Sequence, residues 1–242
     1  GDGLYPASGA TLPAQLYSYL LFPAINGTYR VGTSGTADFP TLTAAANFIN
    51  AGLVAGPADF ILIDTLYSQN ETFPIVINKR PGMAASNPVS FRPDSSVAHA
   101  TIEGTVPFSN GLIVLNGVQY LTFDGSNNGS SSRNLTIRTH ATVENNAAIW
   151  LRSTPGANIE GITIKNLHVV GGINNIASSF GIHAGGANIS TFGTGDSLYD
   201  ITIENITVQR AFYAIYVRSL LSAPGRNVRI TDNEIGSVDT SH

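Results

Sequence analysis

Three ring-bearing residues recur at a fixed interval, each one place after an isoleucine: Trp150 after Ile149, His183 after Ile182 and Tyr216 after Ile215. Arg152 and Arg218 stand two places further on, with Gly185 at the matching position between them. If the isoleucines face a core, alternation along an extended strand turns the rings outward. Flat rings take the faces of sugars, and guanidinium groups beside them bond hydroxyls or carboxylates. The same residue types dominate contacts between protein subunits. A loop such as 187–199 folding over the strip, or a ring ladder that only stiffens the sheet, would leave no contact surface at all.

The elements that must position these residues repeat. Gly111–Leu115, Ala147–Leu151, Phe180–Ala184 and Tyr213–Val217 align on Ile113, Ile149, Ile182 and Ile215, at intervals of 36, 33 and 33 residues. A second series runs Leu135-Thr-Ile137, Ile162-Thr-Ile164, Ile201-Thr-Ile203 and Val228-Arg-Ile230. Self-similarity at this period implies a solenoid of stacked coils. Strand-forming residues alternating in twos make the coils β. Such a stack has no central pocket, so any function belongs to an outer face or an end.

An asparagine follows each later strand of the second series: Asn166, Asn205 and Asn233. Coils about 4.8 Å apart would place them one above another at an internal turn, each amide bonding the next. They are read as a structural ladder. The polar stretch 124–132 is expected to be a surface loop at a corner. Asp38–Asn50 reads as a helix capped by Asp38 or Thr41, with an apolar stripe of Leu42, Ala45, Ala46 and Ile49. It is expected to cover the open first coil. The expected organisation is an apolar segment over 1–30, with Leu16–Phe22 packing on a coil or a partner, followed by the solenoid over 31–242.

Composition narrows the function. Of 242 residues, 43% are hydrophobic, enough for a long thin core, and only 12% are charged, about half the usual share. A surface of Ser, Thr, Asn and Gly suits an extracellular or cell-surface location. A net charge of −4 without a basic run argues against nucleic acid as a partner. No stretch is apolar enough for a membrane span. The absence of cysteine removes disulfides and thiolate chemistry. No metal site or cofactor is expected, since the acidic residues are scattered.

The stretches Gly27-Thr-Tyr-Arg-Val-Gly32 through Asp38-Phe-Pro-Thr-Leu-Thr-Ala-Ala45 and Val118-Gln-Tyr-Leu-Thr-Phe-Asp124 through Arg133-Asn-Leu-Thr-Ile137 resemble a recurring part of very large surface proteins of Bacteroidetes-type bacteria. There it introduces a right-handed parallel β-helix of the pectin-lyase type, commonly exported by type IX secretion. The resemblance covers roughly residues 26–240. It implies the same fold here and a secreted setting. Asp64-Thr-Leu66 and Asp196-Ser-Leu198 resemble the short O-glycosylation motif of such exported proteins, which would modify Thr65 and Ser197, the latter expected to be the more accessible. The related fold also hosts polysaccharide lyases and hydrolases. Their paired aspartates, Gly-His-Gly and Arg-Ile-Lys elements are not intact here, and Gly181-Ile-His183 matches only faintly. No catalytic residue is therefore assigned.

The expectation is an all-β right-handed parallel β-helix with an N-terminal capping helix, acting as a non-catalytic structural, adhesive or filament-forming module. Its partners would be other protein subunits or surface glycans. An end-to-end homo-oligomer, with residues 12–25 of one copy covering the last coil of the next, is one form of it. The alternative is a polysaccharide-active or glycan-binding module using Trp150, Arg152, His183, Tyr216 and Arg218.

Overall fold

The structure, a computed structural model, describes residues 22–173, 178–192, 195, 197–222 and 224–236. The apolar stretch expected to pack on a coil therefore lies outside the described residues except for Phe22, as do residues 12–21 of the assembly segment.

The described residues open with β1 (Ala24–Val31) and α1 (Leu42–Ala51) and then wind through coils of three strands each. The coils are β2 (Leu53–Leu62), β3 (Leu66–Tyr67) and β4 (Ile75–Asn78); β5 (Val89–Pro93), β6 (Ala100–Gly104) and β7 (Asn110–Asn116); β8 (Leu121–Asp124), β9 (Leu135–Thr139) and β10 (Asn146–Arg152). They continue as β11 (Ile159–Lys165), β12 (Leu167–Val170) and β13 (Ser179–Gly185); then β14 (Leu198–Glu204), β15 (Thr207–Gln209) and β16 (Tyr213–Val217). β17 (Arg226–Thr231) and β18 (Glu234–Ile235) start a further turn. Equivalent strands pair in parallel into three sheets. The first has seven strands in the order β1-β2-β5-β8-β11-β14-β17. The second has six, from β3 through β6, β9, β12 and β15 to β18, and the third has five, β4 to β16. This is a right-handed parallel β-helix. Because β1 pairs along β2 from Ala24 to Val31, the stack starts before the expected boundary at residue 31.

The isoleucine row is in register: Ile75, Ile113, Ile149, Ile182 and Ile215 are successive partners across the third sheet. In the first sheet Tyr29, Phe60, Phe91 and Phe123 form a column of rings. Their centroids are 5.0, 5.0 and 4.9 Å apart, with planes within 21°. Ile164, Ile203 and Ile230 continue the same register. Rings at the coil pitch stack offset and bury large apolar area.

The helix starts at Thr41, whose hydroxyl accepts from the Ala44 amide at 3.0 Å. The Glu71 carboxylate accepts from the Leu42 and Thr43 amides at 2.7 Å each, placing negative charge at the positive end of the helix. Leu42, Ala45, Ala46 and Ile49 are buried, as the stripe predicts. The helix lies mainly against β4, the first strand of the third sheet. Asn50 donates to Val76 O at 2.8 Å and accepts from the Asn78 amide at 2.8 Å. Its side-chain amide thereby stands in for the missing neighbouring strand and blunts an open edge. Among the described residues, no helix is long and apolar enough to cross a membrane.

Candidate functional site

Trp150, His183 and Tyr216 are successive partners on the outer face of the third sheet. The Trp150 and His183 rings meet edge to face at 6.5 Å, and His183 and Tyr216 stack at 5.3 Å. A second row joins them. Ala147, Phe180 and Tyr213 are also in register, with Phe180 and Tyr213 stacked at 5.1 Å and Phe180 edge-on to His183 at 4.8 Å. Strict alternation would turn Phe180 inward with Ile182. It fails because Ala148 and Ile149 both face the interior, while Ala147 and Trp150 join the outer cluster. The signal was a second 33-residue spacing, Phe180 to Tyr213, three places before the first row.

The strip is in register but not open. Trp150 is 5% exposed and His183 fully buried. The chain after β13 folds back over the rings, with Ile189 packed into the cluster. The His183 Nε2 lies 3.2 Å from the Ser190 carbonyl. The Tyr216 hydroxyl donates to Thr191 O at 2.8 Å, and the Arg218 guanidinium donates to the same carbonyl. Gly195 ties the loop down by donating to Arg218 O at 3.1 Å and accepting from the Leu220 amide at 2.9 Å. Of the alternatives the sequence left open, the one observed is a loop within 187–199 folded over the strip, in place of an open outward surface. A covering loop shields apolar rings that would otherwise face water.

The covered site has distinct electrostatics. Burial holds the His183 pKa below the usual histidine range, so the ring is neutral at neutral pH. The Arg152 guanidinium sits 5.3 Å over the Trp150 ring and donates to Asn116 Oδ1 at 3.4 Å. Asn116 in turn donates to Asn78 Oδ1 at 2.8 Å. Trp150 Nε1, His183 Nδ1 and Arg152 Nε are buried without a partner among the described residues. Each carries a desolvation penalty: a carbonyl or hydroxyl oxygen from outside would relieve the Trp150 and Arg152 N–H groups, and a hydroxyl proton the His183 Nδ1, which accepts when Nε2–H faces Ser190 O.

The asparagines are placed as follows. Asn166 and Asn205 hold left-handed backbone at φ 57° and 48°, which lets one residue turn the chain from the first sheet to the second. Asn166 donates to Asp124 Oδ1 at 2.8 Å, and Asn205 donates to Asn166 Oδ1 at 2.7 Å. On the next coil the left-handed position is Asp232, φ 56°. Asn233 stands one place beyond. It reaches down a coil, donating to Ile203 O at 2.9 Å and accepting from the Ile206 amide at 3.0 Å. The loop 125–134 climbs beside this corner, its Ser130 and Ser131 carbonyls accepting from the two ladder amides. Of the glycosylation candidates, Thr65 is exposed, whereas Ser197 is half-buried and its Oγ accepts from the Tyr199 hydroxyl at 2.8 Å. The expected order of accessibility is therefore reversed.

The described carboxylates are largely bound to the scaffold. Glu71 caps the helix, Asp38 and Asp64 accept from the Arg30 and Thr33 amides, and Asp94 holds the Ser96 amide and Arg30. Asp124 holds the ladder, and Glu160 accepts from the Tyr120 hydroxyl at 2.7 Å. Among the described residues, no group of three or more His, Cys, Asp or Glu side chains could hold a metal ion. Asp196 lies outside the described residues. Comparison with protein-family models, with characterised proteins and with solved structures found no match.

Proposed function

We propose that this chain is a non-catalytic, secreted or cell-surface β-helix module with a structural, adhesive or filament-forming role. The observation that carries the reading is the use of its carboxylates. They bond backbone amides, ladder amides and partner arginines of the protein's own frame, whereas glycosidic cleavage needs two free carboxyls flanking one bond. The sparse charge and the Asn, Ser and Thr surface support an extracellular setting, and Thr65 is the better placed of the two glycosylation candidates. Incubating the protein with a panel of neutral and acidic polysaccharides and assaying new reducing ends and unsaturated products tests it. No release is expected; turnover on any of them would overturn the reading.

That Trp150 Nε1 and His183 Nδ1 have no partner among the described residues favours a second reading, a glycan-binding strip that opens when the loop over it lifts. In that case Trp150→Ala abolishes glycan affinity. Unchanged affinity would end the assignment.

A further inference from the structure

Four Asn–Gly pairs occur in the chain: Asn26–Gly27, Asn110–Gly111, Asn116–Gly117 and Asn128–Gly129. In such a pair the glycine nitrogen can close on the asparagine side-chain carbon, because no Cβ obstructs it. The structure sets the fourth pair apart. It lies in the loop 125–134, beside the corner held by the asparagine ladder.

Asn128 Oδ1 accepts three hydrogen bonds: from Ser126 Oγ at 3.0 Å, from the Ser130 amide at 3.0 Å and from Ser132 Oγ at 3.3 Å. The Ser130 bond alone would make an ordinary asparagine turn. The two hydroxyls exceed what the turn needs. Ser130 Oγ donates to Ser132 Oγ at 3.1 Å, which strengthens that hydroxyl as a donor. The donors are also fixed in place. Ser126 is fully buried, and its amide donates to Asp124 Oδ1 at 2.9 Å. Asn127 Nδ2 donates to Val97 O at 2.9 Å, and the Ser130 and Ser131 carbonyls accept from Asn166 and Asn205. Donors held around a carbonyl oxygen bond an oxyanion there more strongly than they bond the neutral carbonyl.

The reacting groups are free. Asn128 Nδ2 and the Gly129 amide make no hydrogen bond among the described residues. Gly129 stands at φ 75° in open space, where an added Cβ would meet nothing within 4 Å. The other pairs are held by the sheets. Gly27 and Gly111 lie within β1 and β7. A Cβ on Gly111 would come within 2.8 Å of Trp150, and the Gly117 amide donates to Arg152 O at 2.9 Å.

We propose that Asn128 is a site of self-modification, converted by its own loop through a cyclic imide to aspartate and isoaspartate. The Gly129 nitrogen gives its proton to hydroxide and forms a bond to Asn128 Cγ. The carbonyl electron pair moves onto Oδ1, where the two hydroxyls and the Ser130 amide hold the charge. When that pair returns, the Cγ–Nδ2 bond breaks, and Nδ2 leaves as ammonia with a proton taken from water, which restores the hydroxide. Water then opens the imide, at Cγ to give aspartate or at the main-chain carbonyl to give isoaspartate. The product carboxylate at Cγ inherits the same donors. The proposal goes beyond the function above and holds for either reading of it.

Incubating the folded whole chain at mildly alkaline pH tests the proposal. Each Asn–Gly pair is followed by peptide mass, with chromatography separating aspartate from isoaspartate. Asn128 is expected to convert at least about tenfold faster than Asn26, Asn110 and Asn116, and faster than it does itself in the urea-unfolded chain. The double variant Ser126→Ala/Ser132→Ala is expected to convert about tenfold more slowly. Ser131→Ala, which leaves all three donors in place, is expected to convert like the wild type. If the double variant melts early, Ser132→Ala alone replaces it. Conversion of Asn128 no faster in the folded chain than in urea, full rate in the donor variant with intact folding, or equal slowing by Ser131→Ala would overturn the proposal.

Discussion

The column of rings inside the first sheet and the strip of rings outside the third are built on the same repeat but solve different problems. Phe60, Phe91 and Phe123 are at most 1% exposed, carry no polar atoms and stack nearly parallel at the coil pitch. Trp150, Phe180, His183, Tyr213 and Tyr216 mix edge-on and stacked contacts, and all but Phe180 carry polar atoms, of which Trp150 Nε1 and His183 Nδ1 have no partner among the described residues. The inner column is held by strands above, below and around it. The outer strip is held on one side by strands and on the other by a loop. Burial alone therefore does not make a core: a loop-covered surface buries Trp150, Phe180 and His183 almost as fully, leaves Tyr213 and Tyr216 partly exposed, and satisfies its polar atoms less well.

Substitutions sharpen that difference. Phe91→Ala, between two rings, is expected to lose about 3–5 kcal/mol of stability in urea unfolding, since strands cannot close the cavity. Trp150→Ala is expected to lose less, about 2 kcal/mol, because the loop can settle into the space. Equal losses would mean that the outer cluster is core in the full sense. Asn166→Ala is expected to lose about 1–3 kcal/mol, from the left-handed backbone and from the loss of one of the two bonds the Asn205 amide donates, the one to Ser131 O remaining. Asn166→Gly, which restores the backbone freedom but not the bond, is expected to recover part of it.

The pH dependence separates the regions further. A histidine whose folded pKa lies below its unfolded value binds fewer protons when folded. Stability is then full above the unfolded pKa, about 6.5, and falls as pH drops through it toward the folded value. His183, lowered by burial, contributes to such a loss, and His99 and His168 shift in the same direction. His183→Phe is expected to make the acid side of a melting-temperature profile shallower, whereas Phe91→Leu lowers the whole profile without changing its slope. The smallest effect belongs to Trp150→Phe. It removes an unpaired buried N–H along with some ring area, so the stability change is expected to stay within about 1 kcal/mol.

The coil interior was the legible part. A 33-residue spacing of isoleucines is enough to superimpose β10, β13 and β16, because a parallel stack repeats its inward rows. The helix was legible from the stripe Leu42, Ala45, Ala46 and Ile49 and from the Thr41 hydroxyl, all local features. What depends on distant chain was not. Glu71 caps the helix from 29 positions beyond Leu42. The outward turn of Phe180 and Tyr213 depends on two consecutive inward residues, which alternation does not anticipate. Asn233 resembled the ladder asparagines by following a strand, but Asp232 takes the turn one place earlier. The cover over the strip was legible only as one alternative, a loop within 187–199, because a loop without periodicity has no spacing that could decide for it.

Trp150 is the chain's single tryptophan, so its fluorescence reports the strip and nothing else. Acrylamide quenching of the native protein is the direct measurement. A covered strip predicts blue-shifted emission and weak quenching until global unfolding, with both changing in the same denaturant transition. Red-shifted emission and quenching as ready as that of free tryptophan in the folded protein would contradict it, and would return the strip to the open surface that alternation first suggested.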